Sequence, residues 1–258
     1  MLNFRTTTIA LLIFAALVLI LLFFNIRLGM FPILALIIWM ILLTLGSILI
    51  CSNFYIRALC RGTKTEKVVA LTFDDGPDKV ITPKVLAILE KHNVQATFFI
   101  IGIKAKKNRA LLKLIIGKGH LAGLHSYSHG FFFDFYTKRN MEQDLLKTEE
   151  VIMCNTGKKP LLFRPPYGVT NPTLANTVKD LGYHVIGWSV RSLDTAIKDA
   201  GKVSKRVLRK LHPGAVILMH DTQNITPEAL EKVIIRAKEE GYRFVGLEEM
   251  FGIEAYEK

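Results

Sequence analysis

The stretch VVALTFDDGP, residues 68–77, joins a run of apolar residues to two adjacent carboxylates and a Gly-Pro turn. Residues 68–73 predict a buried strand, because a short apolar run bounded by turn residues is typical of a strand covered on both faces. Asp74 and Asp75 follow where this strand ends. Adjacent strand residues point to opposite faces, but the turn can bring both carboxylates toward one pocket. The alternative is an Asx-turn in which they only satisfy loop amides.

The rest of the chain repeats this unit of a short apolar strand followed by a helical segment. Three of the helices open with a capping residue and a first-turn proline, at Thr82-Pro83, Asn171-Pro172 and Thr226-Pro227. Asn140 is expected to cap another helix, at 141–154. The further predicted strands cover residues 96–101, 121–125, 161–164, 185–189, 215–219 and 244–247. Seven such units predict an α/β fold with a parallel sheet, either a barrel or an open doubly wound sheet.

The placement of the polar residues favours the barrel. Several chemically active side chains lie where a predicted strand ends, namely Asp74, Asp75, His125, Arg164 and His220. In a barrel these ends converge on one face, where active sites are built, whereas an open sheet would spread them along a line. The sequence therefore predicts a distorted seven-stranded (β/α) barrel.

Two uncharged apolar stretches, residues 6–26 and 28–56, precede this domain. Each can cross a hydrocarbon layer, which takes roughly 20 apolar residues in a helix. We expect transmembrane helices at about 7–25 and 31–51, joined by a short turn at 25–30. A cleaved signal peptide is the alternative for the first stretch, but its apolar run exceeds a signal core of ~7–15 residues and no small-x-small site follows. Residues 1–65 are thus predicted to be a membrane anchor with a linker, and residues 66–258 one catalytic domain.

The formal net charge of the 258-residue chain is +12. Its lysines are scattered along helical segments, as at 104–107, and are not interleaved with aromatic residues. Solvated helix faces beside anionic lipid explain this charge, and we expect no nucleic-acid partner. The three cysteines, Cys51, Cys60 and Cys154, form no CxxC pair, are expected to be structural or incidental, and say little about the redox compartment.

The segment HSYSH, residues 125–129, is spaced for metal binding. Histidines four apart lie on one side of a helical turn and can share a metal ion. His125, His129 and one aspartate would make three ligands, which leaves a fourth position open as in catalytic zinc sites. The remaining histidines are expected to have ordinary structural roles, apart from His220.

Two other strand ends carry groups suited to catalysis. RPPYG, residues 164–168, follows the fourth strand, and its prolines can hold Arg164 and the amide of Tyr167 in place; a plain turn is the alternative. His220 ends the apolar strand at 215–219, a position suited to a general acid.

These segments resemble the five ordered motifs of the polysaccharide deacetylases, the NodB-homology domain of carbohydrate esterase family 4. The resemblance covers nearly all of the predicted soluble domain, with TFDDGP at 72–77, HSYSH at 125–129, RPPYG at 164–168, WSVRSLD at 188–194 and LMH at 218–220. It implies a metal-dependent hydrolase that removes N-acetyl groups from the amino sugars of a peptidoglycan- or chitin-like glycan and releases acetate.

The resemblance also implies a role for each matched residue. Asp75, His125 and His129 would bind a divalent metal, most often zinc. Asp74 would be the general base for the attacking water. Arg164 would pair with Asp74 and keep it ionised, since a nearby cation favours the charged carboxylate.

The remaining matched residues would complete the amide hydrolysis. The backbone N–H of Tyr167 would help to hold the oxyanion, His220 would be the general acid, and Asp194 would favour its imidazolium form. Amide hydrolysis needs this set, because the carbonyl is a weak electrophile and the nitrogen leaves only when protonated.

The sequence departs from the family pattern at the pocket wall. Thr195 stands where the family often has Trp, Arg191 where it often has Asp, and Leu124 where it often has Asn. These differences leave substrate preference open. An O-acetyl polysaccharide esterase and an inactive membrane-bound carbohydrate-binding protein are the alternatives.

The charge pattern and the resemblance disagree about the side of the membrane. Basic residues flank the two apolar stretches at Arg5, Arg57, Arg61, Lys64 and Lys67, against Arg27 alone between them. The positive-inside tendency favours a cytoplasmic domain, whereas polymeric substrates of the family lie outside the cytoplasm. On substrate access we expect an integral protein of a bacterial cell membrane with an extracytoplasmic catalytic domain. The sequence does not indicate an oligomeric state.

Overall fold

The computed structural model describes residues 3–23, 29–63 and 65–257. One sheet contains nine strands in these residues, and every pairing between them is parallel. The strands are β1 (Ala58–Leu59), β2 (Val68–Asp74), β3 (Ala96–Ile100), β4 (Leu121–Leu124), β5 (Leu162–Phe163), β6 (His184–Ile186), β7 (Val190–Arg191), β8 (Ala215–His220) and β9 (Arg243–Phe244). Their order is β1-β6-β5-β4-β3-β2-β8-β7, with β9 also paired to β2.

A short link between β6 and β7 shows how strongly the sheet curls. β7 forms one end of the strand order and β6 lies next to the other end, yet only residues 187–189 separate these strands. Ile186 and Val190 therefore lie within about 15 Å, because consecutive Cα atoms are ~3.8 Å apart. The two ends of the sheet approach each other as in a distorted barrel, which confirms the predicted fold class.

All seven predicted strands are present, and two strands were missed. β1 and β7 each contain two residues, and charged residues interrupt the apolar run at both, with Arg57 and Arg61 around β1 and Arg191 within β7. β1 pairs with β6, although the sequence placed residues 58–59 in the linker after the anchor. The domain boundary at residue 65 stays a prediction.

The helices are α1 (Phe4–Phe23), α2 (Phe31–Ile48), α3 (Ile81–Lys91), α4 (Gly102–Lys107), α5 (Arg109–Gly117), α6 (Lys138–Thr156), α7 (Pro172–Leu181), α8 (Ala200–Lys210), α9 (Thr226–Glu239) and α10 (Leu247–Phe251). Asn171 caps α7 by accepting a hydrogen bond from the Leu174 amide. The predicted caps at Thr82, Thr226 and Asn140 are wrong. Thr82 and Thr226 lie within α3 and α9, whose N-cap residues make no side-chain cap hydrogen bond. Thr137 caps α6 and accepts from the Asn140 amide, because a threonine oxygen reaches the amide three residues ahead.

The first two helices are long and apolar enough to cross a membrane. The beginning of α1 and the end of α2 lie together, since the Phe4 amide donates to the Phe54 carbonyl at 3.0 Å. At this base α2 joins the barrel, where the Ser47 hydroxyl donates to the Thr170 carbonyl at 2.7 Å and the Thr170 amide donates to the Ser47 carbonyl at 2.9 Å. Most of the predicted turn between the helices falls outside the described residues.

A disulfide reinforces the same base. Cys51, just after α2, is bonded to Cys60, just after β1, while Cys154 is an exposed free thiol. The sequence analysis did not pair these cysteines, because a separation of nine residues is not a recognised motif. The disulfide ties the end of the apolar helix pair to the edge of the sheet.

Candidate active site

The predicted chemical groups converge at the carboxyl ends of four strands. Asp74 ends β2 and is the register partner of His220, which ends β8. His125 and Arg164 follow β4 and β5 directly. The Arg164 amide donates to the Leu124 carbonyl, so these two ends also lie side by side. The barrel therefore assembles groups that are up to 146 positions apart in sequence.

Asp74 and Asp75 reach one pocket because β2 ends at Asp74 and the backbone turns at Asp75. Asp75 has a φ of 72°, in the left-handed region that aspartate tolerates better than most residues. This turn cancels the alternation that would have pointed the two carboxylates to opposite faces. Both line the same pocket, together with His125, His129 and His220.

The histidine pair is adjacent for a different reason from the one predicted. Residues 125–129 are not helical; they form a turn in which Ser126 and His129 have φ values of 64° and 50°. The helical geometry inferred from the i, i+4 spacing is therefore wrong. The turn nevertheless brings the imidazole rings of His125 and His129 to a centroid separation of 4.9 Å.

Asp75, His125 and His129 present three ligand atoms to one point. The Asp75 Oδ1 lies 3.3 Å from His129 Nε2 and 3.5 Å from His125 Nε2, and all three ligand atoms lie within 4.8 Å of one another. The Asp75 Oδ1 is buried and accepts no hydrogen bond from the described residues. An orphaned carboxylate oxygen facing two imidazole nitrogens fits a divalent cation, and this donor set suits zinc.

The tautomer of His125 is set by the hydrogen bond of its Nδ1 atom. Its Nδ1 lies 2.8 Å from the Arg164 carbonyl oxygen, which can only accept, so Nδ1 carries the proton. The Nε2 that faces Asp75 then has its lone pair free, as a metal ligand requires.

The pKa values of two of these groups favour the ligating forms. Burial raises the pKa of Asp75, but its interactions with His125 and the charge of the neighbouring imidazoles outweigh burial and hold it well below its usual range. Burial lowers the pKa of His129, and the adjacent His125 lowers it further. Carboxylate and neutral imidazole are the states that bind a metal.

Arg164 is fully buried and ties Asp74 into the barrel. Its Nη1 donates to Asp74 Oδ1 at 2.7 Å and to the Thr72 hydroxyl at 2.8 Å. Its Nε and Nη2 donate to the carbonyls of Ile186 and Gly187. The guanidinium therefore compensates the buried negative charge of Asp74 and leaves its other oxygen, Oδ2, toward His125 Nε2 at 3.9 Å.

His220 and Asp194 form the second charged pair of the pocket. The Asp194 Oδ1 lies 2.8 Å from His220 Nδ1, and Oδ2 accepts from the His220 amide and the Thr226 hydroxyl. Burial lowers the pKa of His220, but the hydrogen bond and the charge of Asp194 outweigh it and raise the pKa above its ordinary value. Asp194 is fully buried and its position is fixed by these hydrogen bonds. Its contact with Nδ1 therefore holds the His220 imidazole in one orientation.

The pocket between these groups has a volume of about 210 Å³. Its wall includes Tyr167, Trp188, Arg191, Thr195 and Leu218. Two of these, Arg191 and Thr195, are positions where the sequence departs from the family pattern, and both are exposed to solvent. The wall of the pocket therefore differs from the family pattern on the side nearest Asp194.

Tyr167 stands at the mouth of this pocket with a φ of 57°. Its half-exposed ring packs against His129 with centroids 4.7 Å apart. The next residue, Gly168, has a φ of 72°, and a Cβ there would collide with the Trp188 ring. Glycine is required at this position for both reasons.

Two residues of the site were not predicted from the sequence. Thr72 lies two residues before Asp74, and the period-2 repeat of the strand places both side chains on one face, which is the signal that could have found it. Trp188 was part of a quoted motif but had no role; its ring lies 5.7 Å from the Arg164 guanidinium carbon.

Known proteins with similar sequences and structures identify the family of this barrel. A sequence model of the family described as polysaccharide deacetylase matches residues 61–186. The peptidoglycan-N-acetylglucosamine deacetylase PgdA of Listeria monocytogenes is 40% identical over 189 residues, which make up 73% of this chain and 40% of that protein. The structure of the Bc1960 peptidoglycan N-acetylglucosamine deacetylase is 36% identical with a TM-score of 0.74, over 77% of this chain and 94% of that one. A family 4 acetyl xylan esterase from Clostridium thermocellum, solved with a cobalt ion, is 35% identical with a TM-score of 0.67, over 73% and 94%.

A curled parallel barrel with an Asp-His-His cluster at its strand ends defines a NodB-like domain of the carbohydrate esterase type. The chain belongs to the polysaccharide deacetylase family, as the motif resemblance implied. It spans about 40% of the length of the Listeria relative.

Replacing Arg164 by Met should lower the free energy of unfolding by about 3–5 kcal/mol, because a buried carboxylate loses its partner. The double variant Arg164→Met, Asp74→Asn should recover part of this loss, since the uncompensated charge is gone. Urea denaturation measures both. Equal losses in the single and the double variant would mean that the guanidinium acts through packing and not through charge.

The Asp194→Asn variant should lower the pKa of His220, because burial is then opposed only by the charges of Asp74 and Asp75. NMR titration of the histidine ring signals measures this shift. The matched control is Ser192→Ala, which removes a donor to Asp194 but keeps its charge and should leave the pKa raised. An unchanged His220 pKa in Asp194→Asn would show that the pair does not set the protonation of His220.

Proposed function

We propose that this protein is a metal-dependent hydrolase that removes N-acetyl groups from amino sugars of a peptidoglycan-type glycan and releases acetate. The observation that carries the proposal is the arrangement of the pocket. A three-ligand cluster shares one pocket with a buried carboxylate, Asp74, and with an imidazole that has a raised pKa, His220. Amide hydrolysis needs these two opposite protonation states in one site.

Asp75, His125 and His129 would hold the metal, and this donor set suits zinc. When bound, the metal supplies Lewis-acid activation of the attacking water and of the acetyl carbonyl. Three protein ligands leave further coordination positions open, as catalytic sites require. The cobalt ion in the related esterase structure supports a divalent metal in this fold.

Asp74 is the proposed general base. Its Oδ1 is occupied by Arg164, whereas Oδ2 faces the ligand cluster at 3.9 Å from His125 Nε2. A water beside the cluster would therefore meet Oδ2, which can accept its proton. Arg164 and Thr72 hold this carboxylate in one position, so little reorganisation is needed during the reaction.

His220 is the proposed general acid and Tyr167 the proposed oxyanion donor. With its Nδ1 proton directed at Asp194, the imidazolium presents Nε2–H to the pocket and can protonate the leaving amine. Tyr167, whose ring packs against His129 at the mouth of the pocket, would donate its backbone N–H to the oxygen of the tetrahedral intermediate.

The size of the pocket fits an acetyl group better than a whole oligosaccharide, since about 210 Å³ is below the ~300–1,000 Å³ of sites that enclose a small molecule. The remainder of the glycan would lie along the open rim. An O-acetyl esterase is the second candidate, because the related acetyl xylan esterase shares the fold and the same chemistry can cleave an ester.

Acetate release tests the function. The full chain with added zinc should release acetate from N-acetylated chito-oligosaccharide or peptidoglycan faster than from acetylated xylan. Asp74→Asn should reduce this rate about 10²–10⁴-fold, the usual contribution of a general base. His129→Ala should abolish both zinc binding, measured by calorimetry, and turnover.

The matched control is His92→Ala, which removes a histidine near Glu231 and outside the pocket and should change neither. Faster release from acetylated xylan would favour the esterase, and glycan binding without acetate from any substrate would favour an inactive binding protein.

We also propose that residues 1–65 anchor the protein in a bacterial cell membrane and that the catalytic domain, residues 66–258, lies outside the cytoplasm. The disulfide between Cys51 and Cys60 supports this side, because disulfides persist mainly in oxidising compartments. The cell-wall substrates in the names of the relatives support it as well.

A membrane-impermeant maleimide tests the location on intact cells. It should label Cys154, which is exposed, without prior lysis, and should label Cys51 and Cys60 only after reduction. The Cys154→Ser variant is the control and should remain unlabelled before reduction. Labelling of Cys154 only after lysis would place the domain in the cytoplasm.

A further inference from the structure

Three phenylalanines form an exposed aromatic patch beside the active site. Phe131, Phe132 and Phe135 are 77%, 65% and 83% exposed, the highest values among the large apolar side chains described outside residues 3–49. Their rings contact one another, with centroids 5.2 Å apart for Phe131 and Phe132 and 6.4 Å for Phe132 and Phe135. Phe133 between them is fully buried and fixes the loop. A contiguous apolar patch of this kind marks an interaction surface.

The loop that carries this aromatic patch is tied to the base of the apolar helix pair. The Asn171 side chain donates to the Asp134 carbonyl at 2.8 Å. The preceding residue, Thr170, exchanges two hydrogen bonds with Ser47 in the last turn of α2. The aromatic patch is therefore linked through two neighbouring residues to the point where the apolar part of α2 ends, at Ile48.

The same short segments also reach the pocket. Tyr167 precedes Thr170 by three residues, and their Cα atoms are at most about 11 Å apart. Phe131 follows the ligand residue His129 by two residues, at most about 8 Å away. The aromatic patch, the mouth of the pocket and the end of α2 are consequently close neighbours on the barrel.

We propose that the aromatic patch enters the interfacial layer of the bilayer that α1 and α2 span, so that the pocket works at the membrane surface on acetylated amino sugars held there by a lipid anchor. This inference rests on the proposed function and on the proposed membrane anchor. A bilayer interface lies where a spanning helix ends, and aromatic side chains are favoured there. The exposed cations Arg5, at the start of α1, and Arg139, four residues after Phe135, suit anionic headgroups.

Lipid quenching tests the contact without using activity. Full-length protein with Trp39→Phe and Phe135→Trp is reconstituted in vesicles of phosphatidylethanolamine and phosphatidylglycerol that contain lipids brominated near the headgroup end of the acyl chain. The brominated lipids should quench a larger fraction of the tryptophan fluorescence in this variant than in the Trp39→Phe parent, whose remaining indole is Trp188. The matched control, Leu146→Trp in the same parent, replaces an exposed side chain on α6 and should not be quenched. Absence of quenching in the Phe135→Trp variant would overturn the proposal.

Two forms of one substrate test the consequence for catalysis. The triple variant Phe131→Ser, Phe132→Ser, Phe135→Ser should lose about tenfold in turnover of an N-acetylated chito-oligosaccharide attached to a lipid in the vesicles, which corresponds to about 1.4 kcal/mol. Its turnover of the soluble oligosaccharide should stay unchanged. The control triple variant Leu114→Ser, Leu146→Ser, Ile235→Ser removes exposed apolar residues from α5, α6 and α9 and should keep both rates.

Equal losses on the two substrates would overturn the proposal and assign the aromatic patch a structural role. Cross-linking of two chains through a Phe135→Cys variant with Cys154→Ser in vesicles would also overturn it, in favour of a second copy. Failure of the proposed function gives a different result, because the unmodified protein would then release no acetate from either substrate. The quenching experiment does not depend on activity and would still test the contact with the bilayer.

Discussion

The buried residue Arg164 connects β2, the end of β4 and the link between β6 and β7 at the catalytic face. Its side chain donates to Asp74 and Thr72 on β2 and to two carbonyls where β6 leads toward β7. Its own backbone accepts the proton of His125 Nδ1 and donates to the end of β4. One residue thereby orients the proposed base, sets the tautomer of a proposed metal ligand and spans the place where the barrel nearly closes. A charge in such a position is tolerated because each of the three guanidinium nitrogens donates a hydrogen bond and Asp74 supplies the opposite charge.

Around this centre, unusual backbone geometry turns side chains into the pocket. Positive φ values occur at Asp75, Ser126, His129, Tyr167 and Leu193, all of which are proposed site residues or their neighbours. Such conformations cost about 1–3 kcal/mol each and persist only where the surrounding structure enforces them. The rigid barrel supplies that enforcement, and the gain is a set of groups that converge on one volume although regular strand geometry would separate them.

The pocket places a carboxylate, Asp74, and an imidazole, His220, on neighbouring strand ends. Arg164 stands behind the Asp74 carboxylate and Asp194 stands behind the His220 imidazole, so each proposed proton-transfer group has a buried partner of opposite charge. These partners lie away from the pocket, which leaves Asp74 Oδ2 and His220 Nε2 available to a substrate. The docking of α2 at Thr170 then places these groups beside the apolar helix pair.

The amino-acid sequence by itself determined the order of seven of the nine strands, the cap at Asn171, the two apolar helices and the chemical types of the site residues. These depend on local patterns of hydropathy, on turn residues and on the recognisable order of short motifs. Only the tertiary structure decided that His125 and His129 meet through a turn and not a helix, that Thr72 and Trp188 belong to the site, that Cys51 pairs with Cys60, and that the catalytic face lies beside the helix pair. Each of these depends on contacts between distant segments or on left-handed backbone at non-glycine residues, which local propensity does not encode.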